Sequence, residues 1–199
     1  MPKRVDHEQR RNAIIDALWR IAGTSGLEGL SLSQIATEAG VSKGLVQHYF
    51  RSKDEMLAHA TGRLRERVGE RIAHGLAGLP AARTSRAALR AFLAALLPTD
   101  DDSRTESLVA NAFLIRALKD PAIADRFRDG NTQLRHAVVG LVSAAQAEGD
   151  LPADLDPARE TDILLALVAG LGDALLLGQH TETSALAVLD HQLDRLAPG

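Results

Sequence analysis

The chain contains no cysteine. Disulfide frameworks, thiolate zinc sites and cysteine nucleophiles are thereby excluded, and a reducing, cytoplasmic setting is expected. Aromatic residues amount to only 3%, while alanine and leucine dominate. Strands draw on β-branched and aromatic side chains, so this balance predicts an all-α protein. No apolar run suffices to cross a bilayer, because the longest, residues 163–178, is interrupted by Asp173. The opening stretch MPKRVDHEQRRNAIID is charged throughout, unlike a secretory signal. Catalytic signatures are missing too: there is no HExxH, P-loop or GxSxG, and Gly170-Leu171-Gly172 falls within a helical pattern rather than a nucleotide-binding turn. The seven histidines are scattered and none is spaced to pair as metal ligands. Asp100, Asp101 and Asp102 fit a solvated loop better than a cation site. Neither metal, cofactor nor enzymatic activity is expected.

What is present is enough apolar residue, 45% of 199, to build a core. The net charge of −3 conceals an asymmetry. Residues 1–60 carry eight lysines and arginines against seven acids, and the remainder carries fifteen against nineteen. Residues 42–53 hold Lys43, Arg51 and Lys53 with no acid. On charge alone, this segment fits either a nucleic-acid contact or an ordinary solvated helix face.

Helix signals follow one another along the chain. Residues 8–24 place Ile14, Leu18 and Ile21 at helical spacing. Ser31 caps a short helix over 32–39, which Gly40 ends, and Ser42 caps a second over 43–50. Ser52 opens a long helix reaching about Gly78. Helices are predicted over 84–97, after a capping box of Ser103 and Glu106, and from Asp120-Pro121 toward Gly149. Asp156-Pro157 opens another that ends near Gly178. The last is capped by Thr183 or Ser184 and stops before Pro198. About nine helices and no strand are expected.

Residues 31–50 read helix, tight Gly-Val-Ser turn, helix, which suits a helix-turn-helix. At about 100° per residue, Val46 and Phe50 share one face of the second helix. Gly44, Gln47, His48 and Arg51 lie opposite. Those groups can reach base edges and phosphates, and a glycine permits close backbone approach. A plain helical hairpin with a polar outer face satisfies the same geometry.

The stretch SLSQIATEAGVSKGLVQHYFRSKDEML resembles the DNA-binding segment of the tetracycline-repressor (TetR) family, in the AGVS turn, the Lys-Gly opening of the recognition helix, the Tyr49-Phe50 pair and the SKDEML start of the next helix. The likeness covers residues 8–60. The segment LPADLDPARETDILLALVAGLGDALLLG and the ending LDHQLDRL look like the choline-sensing, BetI-type branch. The resemblance implies a helix-turn-helix domain over 1–52 and a helical ligand-binding and dimerisation domain over 53–199. It implies that the segment from Ser42 onward meets double-stranded DNA, with Lys43, Gly44, Leu45, Gln47 and His48 facing the major groove. Tyr49 and Lys53 would hold phosphates, as would Ser31 and Ser33 from the preceding helix. Leu45 departs from the commoner threonine and Gln47 from a common aromatic, so base preference does not carry over. Residues before Glu8, including Lys3 and Arg4, suit either a flexible minor-groove arm or a disordered terminus.

Further along, Leu164, Val168, Leu171 and Leu175, with Leu186, Leu189, Leu193 and Leu196, recur at helical spacing. Within one subunit this is plain core; the resemblance makes it a two-fold seam between homodimer subunits. Phe92, Asn111, Phe113, Arg116, Phe127, Gln133 and His136 are candidates to line an effector cavity. Choline itself is not implied, since its recognition favours an aromatic cage. The expected function is a small-molecule-responsive regulator, a repressor, acting as a homodimer on a palindromic operator. The alternative is a helical ligand-binding protein without DNA-binding activity.

Overall fold

In a computed structural model, the backbone is described for residues 2–81 and 84–197, with side chains from His7 onward. Among these residues the chain is all helical: α1 (Pro2–Ser25), α2 (Leu32–Glu38), α3 (Lys43–Tyr49), α4 (Lys53–Ala77), α5 (Ser85–Ala94), α6 (Asp101–Ala117), α7 (Pro121–Ala147), α8 (Pro157–Leu176) and α9 (Glu182–Arg195). The segment before Glu8, read as an arm, is helical from Pro2; the side chains of Lys3 and Arg4 lie outside the described residues.

The helix starts follow capping chemistry. Ser31, Ser42, Thr84 and Asp156 each accept backbone N–H groups of the first turn they precede. Two starts differ from expectation. α6 begins before Ser103: Asp100 is its cap, its Oδ1 accepting from the Ser103 N–H at 2.7 Å while the Ser103 hydroxyl accepts from the Asp100 N–H at 3.0 Å. Asp101 and Asp102 occupy the first turn rather than a loop, where carboxylates complement the positive end of the helix dipole. α9 is capped by Thr181, and Ser184 is the third residue of a capping box, not the cap.

The chain divides into two compact units. Unit 1 comprises residues 1–65 and 105–128, and unit 2 comprises 66–104 and 129–199. In unit 1, α1 supplies Ile14, Ile15, Leu18 and Trp19 to a core shared with Ile35 of α2, Val46 of α3, Phe50, and Met56 and Leu57 of α4. Val109 and Phe113 of α6 and Ile123 of α7 belong to the same core. Unit 2 packs Leu89 and Leu93 of α5 with Val138 and Val142 of α7, Leu164 of α8 and Leu189 of α9.

The leucine stripes read as a dimer seam belong to this second core. Leu164, Val168, Leu171, Leu175, Leu189 and Leu193 are buried within the chain, and Leu186 and Leu196 pack half-buried against them. Periodicity identified a shared face but not which partner covers it, and α8 is apolar on more than one face. Its outward side carries Ile163, Ala166, Gly170 and Asp173, with Leu177 just past its end, and that of α9 carries Ala187 and Val188. Arg86 and Arg90 of α5 bind Asp194 and Asp190 of α9 at 2.6 and 2.5 Å, bridging the surface of two helices that share the buried core.

Candidate nucleic-acid interface

α2 and α3 have seven residues each, too few for a stable isolated helix. Their geometry is imposed from both ends. Ser31 and Gln34 close a capping box at the start of α2. Its end is a Schellman turn, with Val41 N–H donating to the Ala36 carbonyl at 2.9 Å and Gly40 N–H to Thr37 at 3.1 Å. Gly40 has φ +66°, and a β-carbon there would meet nothing, so the left-handed backbone alone calls for glycine. The Ser42 hydroxyl then accepts from Leu45 N–H at 3.1 Å, starting α3. Val46 and Phe50, at 0% and 1% exposure, anchor that helix to the core.

With that face pinned inward, Ser42, Lys43, Gly44, Gln47 and His48 are exposed, and Leu45 and Tyr49 are half-buried. Gly44 has no positive φ, and an added β-carbon would meet only the Ser42 hydroxyl at 3.9 Å. The fold itself therefore does not require glycine at this outward position. Ser31 and Ser33 are exposed as well.

The junction to α4 is built around Glu55. Its carboxylate accepts from the Arg51 N–H at 2.8 Å and pairs with Arg11 of α1 at 3.4 Å, while its own N–H donates to the Ser52 hydroxyl at 3.0 Å. The Arg11 guanidinium lies 4.8 Å from the centre of the Phe50 ring, and His59 lies 5.8 Å away. Lys53, read as a phosphate contact, also has an internal role: its ammonium donates to the Leu30 carbonyl at 2.8 Å, tying the approach to α2 to the start of α4. An ammonium carries three donors, so this bond alone does not exhaust it.

One contact escaped sequence reasoning, at a residue of the segment before Glu8. His7, near the start of α1, sets its ring 4.6 Å from that of Tyr49 and 6.4 Å from that of His48; His48 and Tyr49 are 5.3 Å apart. No local pattern marks His7, because the contact joins helices far apart in the chain.

The candidate effector residues do not form one group within either unit. Phe113 is fully buried in the core of unit 1 and Phe127 packs against that core. Asn111 is half-buried in unit 1, and Arg116 pairs with Asp120 at 3.1 Å. Phe92 belongs to the core of unit 2, where Gln133 and His136 are exposed on α7. Chain order and polarity suggested a common lining; four of the seven residues lie in unit 1 and three in unit 2. Among the described residues no cluster of potential metal ligands occurs, and no helix is long and apolar enough to cross a membrane.

Two short helices, each opened by a serine cap and joined through a left-handed glycine, with a polar face held outward, form a helix-turn-helix, the motif DNA-binding proteins of this class use. Residues 14–60 match the bacterial regulatory proteins of the tetR family, and residues 82–198 match the C-terminal part of BetI-type transcriptional repressors. The HTH-type transcriptional regulator PksA of Bacillus subtilis is 34% identical over 173 residues, covering 86% of this chain and 80% of its own. The HTH-type transcriptional regulator BetI of Burkholderia thailandensis is 32% identical over 206 aligned positions, covering 98% and 97%. A transcriptional regulator from Rhodococcus sp. Rha1, known by crystal structure, is 29% identical with a TM-score of 0.79 over 94% of this chain and 95% of its own. The chain belongs to the TetR family, as a ligand-responsive, DNA-binding transcriptional regulator and not an enzyme.

Proposed function

We propose that the protein is a homodimeric repressor that occupies a palindromic operator and leaves it when a small-molecule effector binds. The observation that carries this reading is the outward face of α3. Lys43, Gln47 and His48 stand exposed on a helix whose orientation is fixed by Val46, Phe50 and the Ser42 cap. Gln47 and His48 supply hydrogen-bonding groups for base edges, and Gly44 leaves room for the backbone to approach. Ser31, Ser33, Tyr49 and Lys53 serve the phosphates, with Leu45 packing beside the bases.

Two recognition helices must meet successive major grooves about 34–36 Å apart, so the active species is a dimer. The exposed apolar side chains on the outward side of α8 and α9 support this, with Ile163 at 45%, Leu177 at 73% and Val188 at 36% exposure in the single chain, beside the exposed Asp173. Effector recognition is assigned to the middle helices α5 to α7. The effector acts through its differential affinity for two arrangements of the protein, and linkage makes operator DNA weaken effector binding by the same factor.

The test is a gel shift with duplexes selected from a random-sequence pool by the wild-type protein, repeated with a metabolite panel. Gln47→Ala and His48→Ala are expected to relax sequence preference, by about 1–3 kcal/mol per lost bidentate contact. Unchanged preference in both variants removes the recognition-helix assignment.

A further inference from the structure

We propose that His7 is a positioning residue of the DNA interface: its imidazole buttresses the Tyr49 ring and holds the phenol hydroxyl where a backbone phosphate meets it. The proposal rests on the reading of α3 as the recognition helix and extends that site to the first turns of α1.

Tyr49 is the last residue of α3. Its neighbour Phe50 is buried, while Tyr49 is half-buried: it packs against the core of unit 1, which leaves part of the side chain uncovered. Two rings border it: His48 edge-on at 5.3 Å with an interplanar angle of 83°, and His7 tilted at 4.6 Å with an angle of 58°. Such centroid separations lie within the attractive range for aromatic pairs. His48 is part of the same short helix and moves with Tyr49. His7 comes from a different helix, and α1 is anchored in the core of unit 1 through Ile14, Ile15 and Leu18. Together with the core side chains that Tyr49 packs against, it therefore sets the ring from outside α3. His7 is itself exposed and supplies nothing to the core, so its placement serves the surface that Tyr49 and His48 present.

The experiment measures binding of the full chain to a duplex selected by wild type from a random pool, and to an unselected duplex of equal length. His7→Ala is expected to weaken both about three- to tenfold, since a phosphate contact carries no sequence information. His7→Phe, which keeps a ring against Tyr49, is expected to restore most of that affinity. In a Tyr49→Phe background, where no hydroxyl remains to be held, His7→Ala is expected to have little further effect. The melting temperature of His7→Ala is expected to match wild type, which separates the effect from misfolding. If His7→Phe is as weak as His7→Ala, or the two losses simply add in the double variant, His7 contacts DNA directly and the positioning role is overturned. An unaffected His7→Ala overturns it as well. Tyr49→Phe and Gln47→Ala serve as controls: if they also leave binding intact, it is the assignment of α3 that fails, whereas their weakening beside an unaffected His7→Ala confines the failure to His7.

Discussion

Unit 1 holds Trp19, Tyr49, Phe50, Phe113 and Phe127, whereas unit 2, the larger in residues, has Phe92 as its one aromatic and is otherwise packed from aliphatic side chains. Helix length accounts for part of the contrast. Seven-residue α3 offers few inward positions, and Tyr49 and Phe50 stand at its end, whereas Trp19, Phe113 and Phe127 stand on the longer α1, α6 and α7. α7, with 27 residues, and α8, with 20, spread their burial over many leucines and valines. A unit that presents a surface to DNA needs a fixed orientation, and concentrated anchors supply one. A distributed aliphatic core tolerates repacking with less loss of definition.

The largest expected effect sharpens this contrast at adjacent positions of α8. Leu164→Arg places an unpaired charge at a site with 0% exposure and should cost more than about 4 kcal/mol, unfolding unit 2. Ile163→Arg, one residue away on the outward side, should leave the helical circular dichroism intact and shift light scattering to the monomer. A folded Leu164→Arg monomer would return the leucine stripe to the subunit interface.

Next come the aromatic anchors. Phe50→Ala and Phe92→Ala should each lose about 3–5 kcal/mol in urea unfolding. Only Phe50→Ala should abolish DNA binding under conditions where both remain folded, because only Phe50 orients α3. Comparable DNA affinities for the two variants would break the proposed division of labour.

Caps give a smaller effect of the same form. Ser42→Ala and Asp156→Ala should each cost about 1 kcal/mol. The Ser42 variant should lose DNA affinity beyond its stability change, since its cap sets the first turn of the recognition helix, and the Asp156 variant should not.

The smallest effect is in acid. In unit 2, Asp100 is held below the usual carboxylate range by the N–H and hydroxyl of Ser103, Glu148 by Ser85, Asp162 by Arg135 and Asp190 by Arg90. In unit 1 Lys119 does the same for Glu28. A lowered folded pKa adds stability that is present above the ordinary value of about 4 and is lost as pH falls through the lowered one. Unit 2 should therefore weaken more than unit 1 below about pH 4. Trp19, the one tryptophan, reports on unit 1 by fluorescence, while circular dichroism reports on both units. In urea at pH 3 the circular dichroism midpoint should fall below the fluorescence midpoint, with a smaller gap at pH 7. An unchanged gap would show that these carboxylates do not distinguish the units.

Features set by neighbours in sequence were legible. Ser31, Ser42 and Asp156 act within three residues of themselves, and the Gly40 turn needs only its own backbone. The same locality explains the misreadings at Ser103 and Ser184: both are the third residue of a capping box and carry the same hydroxyl a cap would. The outward face of α3 was legible because its two apolar rows, Val46–Phe50 and Leu45–Tyr49, are adjacent, which leaves Lys43, Gly44, Gln47 and His48 on the other side. α8 offers several such rows, so its buried face had to come from packing. The Lys53 bond to Leu30 and the His7 contact with Tyr49 join distant segments, and nothing in either local sequence announces them.

The make-up of unit 1 also limits what can be borrowed from this protein. The match to the tetR-family DNA-binding segment ends at residue 60, yet the core of unit 1 is completed by Val109, Ala112, Phe113 and Ile123, from the part that matches BetI-type C-terminal domains. A chimaera cut at residue 60, intended to lend this DNA specificity to a foreign sensor, would carry Trp19 and Phe50 without the side chains that close over the same core. With α3 as the proposed reading helix, portable specificity in this scaffold is an exchange of its exposed residues, not a transplant of the segment that bears them.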